Sequence, residues 1–400
     1  MKKSLIFLAL GSVFATAQAA DISVFGAVDT GLMFSHSKVS GESAENTLSM
    51  ESSMNETSSF GIAGSEDLGN GMKVAFHLEN EFASDSGSMA TENKLFDREA
   101  RITLEGGFGA LSFGRMGTLS SATGTYDIVY VVGDSFDGGD NNIFGLTGAG
   151  VYDNMITYQT PEFAGFQVTG QYSFKNDTAE DFKGIEGKAS ADRYAGIAAT
   201  YTLGNLQTVI AYDQMMWGSK ETGANREKDQ HNVYLGGNYD FGLLKLFAMG
   251  QYVKGARDFA GTEDVFTMLN DDHAIDLKSR EGFDGWGLHL GTVMPVAGGD
   301  WTVAVYYADG ELDDGAGSIN DPTAAAALAD VNVDVKFYGI TTRYVYPLSE
   351  RASLYAGAGY GERKYDVSGT STPTGASAET FSGSPKEKIG QVYAGLSYVF

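Results

Sequence analysis

The chain has 400 residues, no cysteine, and 52 acidic against 27 basic residues, which gives a formal charge of −25 at pH 7. This charge disfavours nucleic acid as a partner and favours cations, and the lack of cysteine excludes a disulfide scaffold. The 53 glycines, 21 tyrosines and 24 phenylalanines suit twisted strands, tight turns and aromatic girdles.

The N terminus has the pattern of an export signal. Lys2 and Lys3 precede an apolar run over residues 5–14, and residues 17–19 place small side chains at the positions that signal peptidase reads. We therefore predict that residues 1–19 are a cleaved signal peptide. No later run reaches the roughly 18 apolar residues of a membrane helix. Any membrane crossing must therefore use strands that close into a barrel.

Residues 20–400 read as sixteen segments of alternating polarity, joined by seven short turns and eight long polar connections. In the segment that starts at Met72, apolar residues share one face, while Lys73, His77 and Glu79 share the other and require water there. The pattern predicts one all-β domain, a transmembrane antiparallel β-barrel of 16 strands with a wet interior. The long connections are predicted at 36–58, 84–94, 117–150, 175–191, 217–230, 256–282, 310–332 and 364–387.

An alanine-rich stretch within the seventh long connection predicts a short helix. It covers residues 322–330, with Asp321 as the expected N-terminal cap.

Five short segments, in order along the chain, carry a family resemblance. They are Val24-Phe25-Gly26-Ala27-Val28-Asp29, Gly64-Ser65-Glu66-Asp67-Leu68-Gly69 with Gly71, Leu111-Ser112-Phe113-Gly114-Arg115, Pro161-Glu162-Phe163-Ala164-Gly165-Phe166, and Tyr393-Ala394-Gly395-Leu396-Ser397-Tyr398-Val399-Phe400. With them the chain resembles the general porins of Gram-negative outer membranes, and is most similar to the beta-proteobacterial branch. The resemblance implies an integral outer-membrane homotrimer with short periplasmic turns, long external loops, and a third loop folded into the lumen. The implied partners are outer-membrane lipid, lipopolysaccharide, and small hydrophilic solutes and ions.

The third long connection, residues 117–150 and here called loop 3, carries four acidic residues and no Lys or Arg. They are Asp127, Asp134, Asp137 and Asp140. Folded inward, as the resemblance implies, loop 3 would place these acids across the narrowest part of the pore. The alternative is a solvated surface loop, in which acidic residues are ordinary.

Porins of this family place inward basic residues opposite this loop, and strand parity predicts the corresponding residues here. Arg101 faces inward, because its neighbours in sequence share the apolar face of their strand. Lys73 and His77 face inward on the adjacent strand, beside Glu79. These four residues and the loop 3 acids form the predicted constriction.

Two further arginines are predicted to have anchoring roles. At three positions of the inner wall where the resemblance leads us to expect a basic residue, the chain has none. Arg98 has the outer parity and lies near the strand end, which predicts a subunit contact or a position at the rim. Arg115 matches the Gly-Arg pair that opens the third loop of the family, and this resemblance implies that it anchors loop 3 or the trimer. Ser59, Ala63 and Thr157 stand where relatives usually carry basic residues. With fewer wall cations facing an acidic loop, we predict a cation-preferring channel.

Passive diffusion of hydrophilic solutes is therefore the predicted function. Tyr126 and Tyr130 of loop 3 leave a substrate-selective channel open, and the long loops leave an adhesin or structural barrel open. His77 beside Glu79 is interpreted as a pore-lining histidine rather than a catalytic one. The sequence predicts no enzyme activity, cofactor or metal site, and the acidic cluster near residues 263–272 is interpreted as solvated.

Overall fold

The computed structural model describes residues 21–138, 141–178, 184–218, 228–257, 259–260, 275–278, 282–319, 326–373 and 375–400. The predicted signal peptide lies outside these ranges. The described strands, in chain order, are β1 (Asp21–Val39), β2 (Glu45–Ser52), β3 (Ser59–Gly69), β4 (Met72–Glu81), β5 (Glu99–Gly106), β6 (Gly109–Gly117), β7 (Val151–Gln159), β8 (Phe166–Ser173), β9 (Arg193–Leu203), β10 (Leu206–Met216), β11 (Gln230–Asp240), β12 (Lys245–Ala256), β13 (Ile275–Lys278), β14 (Phe283–Val296), β15 (Gly299–Ile319), β16 (Ala326–Pro347), β17 (Ala352–Pro373), β18 (Glu379–Gly383) and β19 (Lys386–Val399).

Helical structure in the described ranges is confined to loop 3. It consists of α1 (Val129–Gly133) and a 3₁₀ turn at Asn141–Ile143. None of the helical segments described is long and apolar enough to span a bilayer.

Sixteen of the strands close into an antiparallel barrel, which confirms the predicted fold. The closure is made at β1, where Ala27 pairs with Ser59 of β3 on one side and with Val399 of β19 on the other. Phe400 completes it, because its amide donates to the Gly26 carbonyl at 2.9 Å and its carbonyl accepts from the Gly26 amide at 3.1 Å. The remaining strands β2, β13 and β18 lie within the long connections and extend the hairpins there.

The wall shows the period of two that the sequence predicts. On β14, Trp286, Leu288 and Leu290 are between 41 and 54% exposed, while the intervening Gly287 and His289 are buried. Successive side chains of a strand point to opposite faces. The exposed apolar side chains therefore form the outer surface that faces lipid.

Three strands run well past the membrane, so the predicted connections 310–332 and 364–387 are largely strand. β15 has 21 residues, and β16 and β17 have 22 each. About 10 residues cross a bilayer, whereas 22 residues at about 3.3 Å each span roughly 70 Å. The hairpins therefore stand far beyond the membrane at the long-loop rim.

The helix predicted at residues 322–330 is wrong for residues 326–330, which belong to β16. In that strand Val331, Val333 and Val335 are buried and Asp334 and Lys336 are exposed. β-branched residues in strict alternation favour a strand and outweigh the helix propensity of a few alanines. Beyond the membrane the polarity of the wall is therefore inverted, with apolar side chains inside and charged ones outside.

Loop 3 lies inside the barrel, as predicted, but its packing makes much of the interior apolar. Val129, Tyr130 and Phe136 of loop 3 belong to one buried cluster with wall residues such as Tyr306 and Phe337. The expectation that water lines the whole inner face is therefore wrong on the side of β10 to β17. Apolar groups that pack together there are removed from water, which stabilises the inward position of the loop.

Glycines on the inner face of β14 make room for the loop. A Cβ at Gly291 would overlap the side chain of Ser135, and one at Gly287 would meet Leu146. The close approach of loop 3 to this strand therefore depends on residues without side chains.

Candidate channel constriction

Arg101 lies on the inner wall at the base of loop 3. Its Nε donates to Glu99 Oε2 at 3.2 Å, its Nη1 to Thr103 Oγ1 at 2.7 Å and its Nη2 to Thr125 Oγ1 at 2.8 Å. Thr125 belongs to loop 3, and its amide donates to Glu99 Oε1 at 2.8 Å. The arginine and the glutamate together fasten the start of loop 3 to β5.

His77 and Glu79 lie next to this pair on β4. His77 Nε2 is 3.2 Å from Glu79 Oε2 and 3.4 Å from Glu99 Oε2, and its ring centroid is 4.8 Å from that of Phe25. The three polar side chains have potential ligand atoms within 4.8 Å of one another. Guanidinium groups already bind both carboxylates, so the geometry favours a salt-bridge network over a metal site.

The outward orientation predicted for Arg98 is wrong. Its Nε donates to Glu79 Oε1 at 3.0 Å and its Nη1 to Glu81 Oε2 at 2.7 Å, and only 12% of the side chain is exposed. The reason is that β5 begins at Glu99, so residue 98 lies outside the alternation of the strand. Arg98, Arg101, Glu79, Glu81 and Glu99 are called the wall cluster below, and they comprise three carboxylates and two guanidinium groups.

Lys73 and Arg115 lie away from the wall cluster. Lys73 Nζ is 2.9 Å from Glu105 Oε2 at the short-turn rim, where both side chains are well exposed, so its placement in the constriction is wrong. Parity gives the face of the strand that a side chain occupies, but not its distance from the turn. Lys73 is the second residue of β4 and therefore lies at the rim. Arg115 donates to the Asp97 carbonyl at 2.7 Å and to Asp153 Oδ1 at 2.6 Å. It therefore fastens the segment before β5 onto β7, and both of these hydrogen bonds go to residues outside loop 3.

The acids of loop 3 do not form a continuous fringe. Asp127 is 4% and Asp134 2% exposed, Asp137 is exposed, and Asp140 lies outside the described residues. Burial, together with the nearby charge of Asp137, raises the pKa of Asp127 well above its usual range. Of the three described acids, Asp137 is therefore the one that presents a charge to solvent.

Asp134 fixes loop 3 to the opposite wall. Its carboxylate accepts from the Tyr306 hydroxyl at 3.2 Å and from the Phe136 amide at 2.7 Å. The amide of the next residue, Ser135, donates to His289 Nε2 at 3.2 Å. An acid predicted to line the pore is instead an anchor of the loop.

Arg343 lies on the inner face of β16 and is not among the residues predicted from the sequence. Its Nη1 donates to the Met54 carbonyl at 3.0 Å, and its guanidinium carbon is 4.9 Å from the ring centroid of Phe136 in loop 3. Asp29 binds the same segment, accepting from the Met54 amide at 3.0 Å and the Tyr355 hydroxyl at 2.6 Å. The residues before β3 therefore also fold inward. The position of Arg343 in the sequence could have predicted its placement, because Arg343 and Phe337 are an even number of residues apart on one strand and therefore share the inner face.

Comparison with known proteins identifies this barrel. The family model described as Gram-negative porin matches residues 4–366. The chain belongs to that family. The porin is 30% identical to an outer membrane porin protein of Bordetella pertussis over 397 residues, covering 90% of this chain and 94% of the relative. It is also 30% identical to outer membrane porin protein 32 of Delftia acidovorans over 371 residues, covering 91% and 90%.

Solved structures share the fold of this porin. An anion-selective porin from Comamonas acidovorans matches with a TM-score of 0.61 and 23% identity, over 96% of this chain and all of that one. The trimer form of OmpT, an outer membrane protein of Vibrio cholerae, matches with a TM-score of 0.53 and 17% identity, again over 96% and 100%. This porin is thus an integral outer-membrane β-barrel.

Proposed function

We propose that this porin forms a water-filled channel for the passive diffusion of small hydrophilic solutes and ions, with a preference for cations. The closed barrel and the position of loop 3 across its interior support a sieve. Such a channel needs no energy source and no covalent chemistry, because its selectivity depends on pore width and on the charges along the wall.

The cation preference rests on one observation, the excess of carboxylates in the wall cluster. Arg98 is bound by Glu79 and Glu81, and Arg101 by Glu99, so three carboxylates meet two guanidinium groups, with the His77 imidazole beside two of the carboxylates. The screening length at physiological salt is about 8 Å, so this excess acts across a narrow lumen. Asp137 adds an exposed negative charge from loop 3.

Two further basic residues, Arg363 of β17 and Lys94 before β5, are also matched by acids. Arg363 Nη1 lies 3.0 Å from Glu387 Oε2 at the long-loop end of the barrel. Lys94 Nζ lies 3.3 Å from Asp153 Oδ2 and 3.4 Å from Asp177 Oδ1. The relative described as anion-selective shares this fold, so the local balance of charges, rather than the barrel, would set the sign of the preference.

The reversal potential of the purified protein in a planar bilayer, measured in a salt gradient, tests this proposal. We expect the conductance to rise in steps, and we expect a reversal potential whose sign shows that cations are more permeant than anions. The preference should shrink near 1 M salt, where the screening length falls to about 3 Å. A potential of the opposite sign would refute the charge argument, and a protein that never conducts would refute the channel.

We also propose a homotrimer that is exported through cleavage after residue 19 and is surrounded by outer-membrane lipid and lipopolysaccharide. The family and the trimeric OmpT neighbour support the oligomeric state. Light scattering with the detergent contribution subtracted should give the molar mass of three chains. N-terminal sequencing of the mature protein should start at Ala20. A monomer, or an intact N terminus, would contradict these two proposals.

One observation favours a second role as a display barrel, namely the hairpins of β15 to β17 that stand beyond the membrane. The alternative of a substrate-selective channel that uses the tyrosines of loop 3 is weakened. Tyr126 and Tyr130 are only 3% and 1% exposed, so their rings offer no surface to a passing solute. A conducting trimer that does not bind cells or matrix would exclude display as the main role.

A further inference from the structure

The chain leaves the wall of the barrel at one place between β2 and β3. Thr30 of β1 pairs with Ser52 of β2, and Ala27 of β1 pairs with Ser59 of β3. Only two positions of β1 lie between these pairs, and they face the six residues 53–58. An ordinary β-bulge adds one residue to a strand, so most of this segment has no place in the ladder. We call residues 53–58 the inner bulge.

The inner bulge lies on the lumen side of the wall rather than on the lipid side. Met54 is 3% exposed and belongs to a buried cluster with Met33, Tyr355 and Tyr393. On β1, β17 and β19, each of these three residues stands between neighbours that are exposed on the outer face. Their own side chains therefore point inward. Packing against them removes Met54 from water and stabilises the inward position of the bulge.

The buried carboxylate of Asp29 attaches the backbone of the inner bulge to β1. Its Oδ1 accepts from the Met54 amide at 3.0 Å and from the Tyr355 hydroxyl at 2.6 Å. Its Oδ2 accepts from the Glu56 amide at 2.9 Å and from the Ser397 hydroxyl. All four partners donate, and a carboxylate is the side chain that accepts at both of its oxygens. The position of the bulge therefore depends on an acid at residue 29.

The inner bulge adjoins both of the other parts of the constriction. At one end, the Ser58 carbonyl accepts at 3.0 Å from the amide of Phe82, the residue that follows the β4 part of the wall cluster. At the other end, the Met54 carbonyl accepts from Arg343, whose guanidinium lies over the ring of Phe136 in loop 3. The bulge therefore connects the wall cluster to loop 3 along the inside of the barrel.

We propose that the inner bulge is a second constricting element of the channel, and that Asp29 is the residue that positions it. Glu56 is the charged residue of the bulge and is partly exposed. Because the bulge lies inside the barrel, the exposed part of Glu56 faces the lumen. A permeating solute then passes an opening bounded by the wall cluster, the inner bulge and loop 3. This inference rests on the proposed channel, since a constriction matters only where solutes pass.

A single thiol at residue 56 tests whether the inner bulge narrows the conducting path. The chain has no cysteine, so a water-soluble, charged thiol reagent should label Glu56→Cys alone and lower its current in planar bilayers in steps. Glu45→Cys is the matched control. It removes the same charge, but Glu45 pairs with Ser37, eight residues beyond Asp29 on β1 and so roughly 26 Å farther along the strand.

The labelled Glu45→Cys protein should conduct as before. An unchanged current through labelled Glu56→Cys, or an equal block in the two variants, would overturn the constricting role of the bulge.

Protection of a thiol at residue 54 tests the positioning role of Asp29. Met54→Cys places the thiol in the buried cluster, where a reagent reaches it when the bulge undocks. Adding Asp29→Asn puts an N–H donor where donors converge, so modification followed by mass spectrometry should become about 10- to 100-fold faster. Adding Asp240→Asn instead is the matched control, because that exposed carboxylate also accepts from a backbone amide, that of Gly242 at 2.7 Å in a short turn.

The control should keep the rate of the Met54→Cys protein, and equal rates in the two double variants would refute Asp29 as the positioning residue. If Asp29→Asn does not form the barrel, as judged by its heat-modifiable mobility on gels, Tyr355→Phe replaces it. That change removes one donor that orients the carboxylate, and modification should become about threefold faster or more. A rate equal to the control would again refute the role.

The two experiments separate failure of the bulge from failure of the channel. A wild type that never conducts would refute the channel and the constricting role with it, whereas the protection experiment would still decide the role of Asp29. A conducting wild type whose Glu56→Cys form is unaffected by labelling would refute the constricting role alone.

Discussion

Tyr306→Phe is expected to loosen loop 3 without disturbing the barrel. The Tyr306 hydroxyl lies 3.2 Å from both oxygens of Asp134, and both residues are buried. A hydrogen bond to a charged group contributes about 1.5–3 kcal/mol. The Phe136 amide still binds Asp134 in the variant. We therefore expect the loop to undock roughly 10- to 100-fold more often than in the wild type.

Hydrogen exchange of the α1 amides (Val129–Gly133) in the purified protein measures this undocking. Tyr307→Phe is the matched control, because its hydroxyl donates to Asp309 Oδ2 at 2.9 Å and its parity is the outer one. Exchange at α1 should accelerate in the Tyr306 variant and stay unchanged in the control. Equal rates in the two variants would refute the role of Asp134 as an anchor.

The remaining predictions concern charge and pH. Asp137→Asn should lower the cation preference, whereas Asp127→Asn should change the reversal potential less, because Asp137 is exposed and Asp127 is buried; equal shifts would contradict this. A folded-state pKa raised above the unfolded value of about 3.9 contributes stability at low pH that is lost as pH rises through the folded pKa. Loop 3 exchange, corrected for intrinsic rates, should therefore accelerate on alkalinisation, and this dependence should be absent in Asp127→Asn. Glu81→Gln should reduce the cation permeability ratio about twofold, since a unit charge about 8 Å away in water acts with about 0.5 kcal/mol. Glu105→Gln, at the short-turn rim, should do less, and the reverse order would argue against the wall cluster as the selective region.

The barrel was predictable from sequence because it depends on local signals. Period-two alternation and short turns such as 203–205 lie within a few residues of one another, and the structure has strands on both sides of that turn. Strand ends beyond the membrane were less predictable. There the outward face becomes polar, as at Asp334 and Lys336, so polar content no longer distinguishes a loop from a strand.

The environment of the site residues was not predictable in the same way, because it depends on distant contacts. Asp134 is an anchor rather than a pore charge because Tyr306, 172 residues away, meets it across the lumen. Arg98 turns inward because β5 starts one residue later. Parity fixes which face a residue occupies, but it does not say whether loop 3 covers that part of the face.

Thiol accessibility at Asp137 tests the central claim, that this part of loop 3 lies in an aqueous lumen while alternate wall residues face lipid. The chain has no cysteine, so Asp137→Cys carries a single thiol. Adding a water-soluble, charged thiol reagent should lower its current in steps. Val305→Cys, whose native side chain is 42% exposed on the outer face, should conduct as before. An unchanged current through a labelled Asp137→Cys protein, or a block through Val305→Cys, would contradict the account.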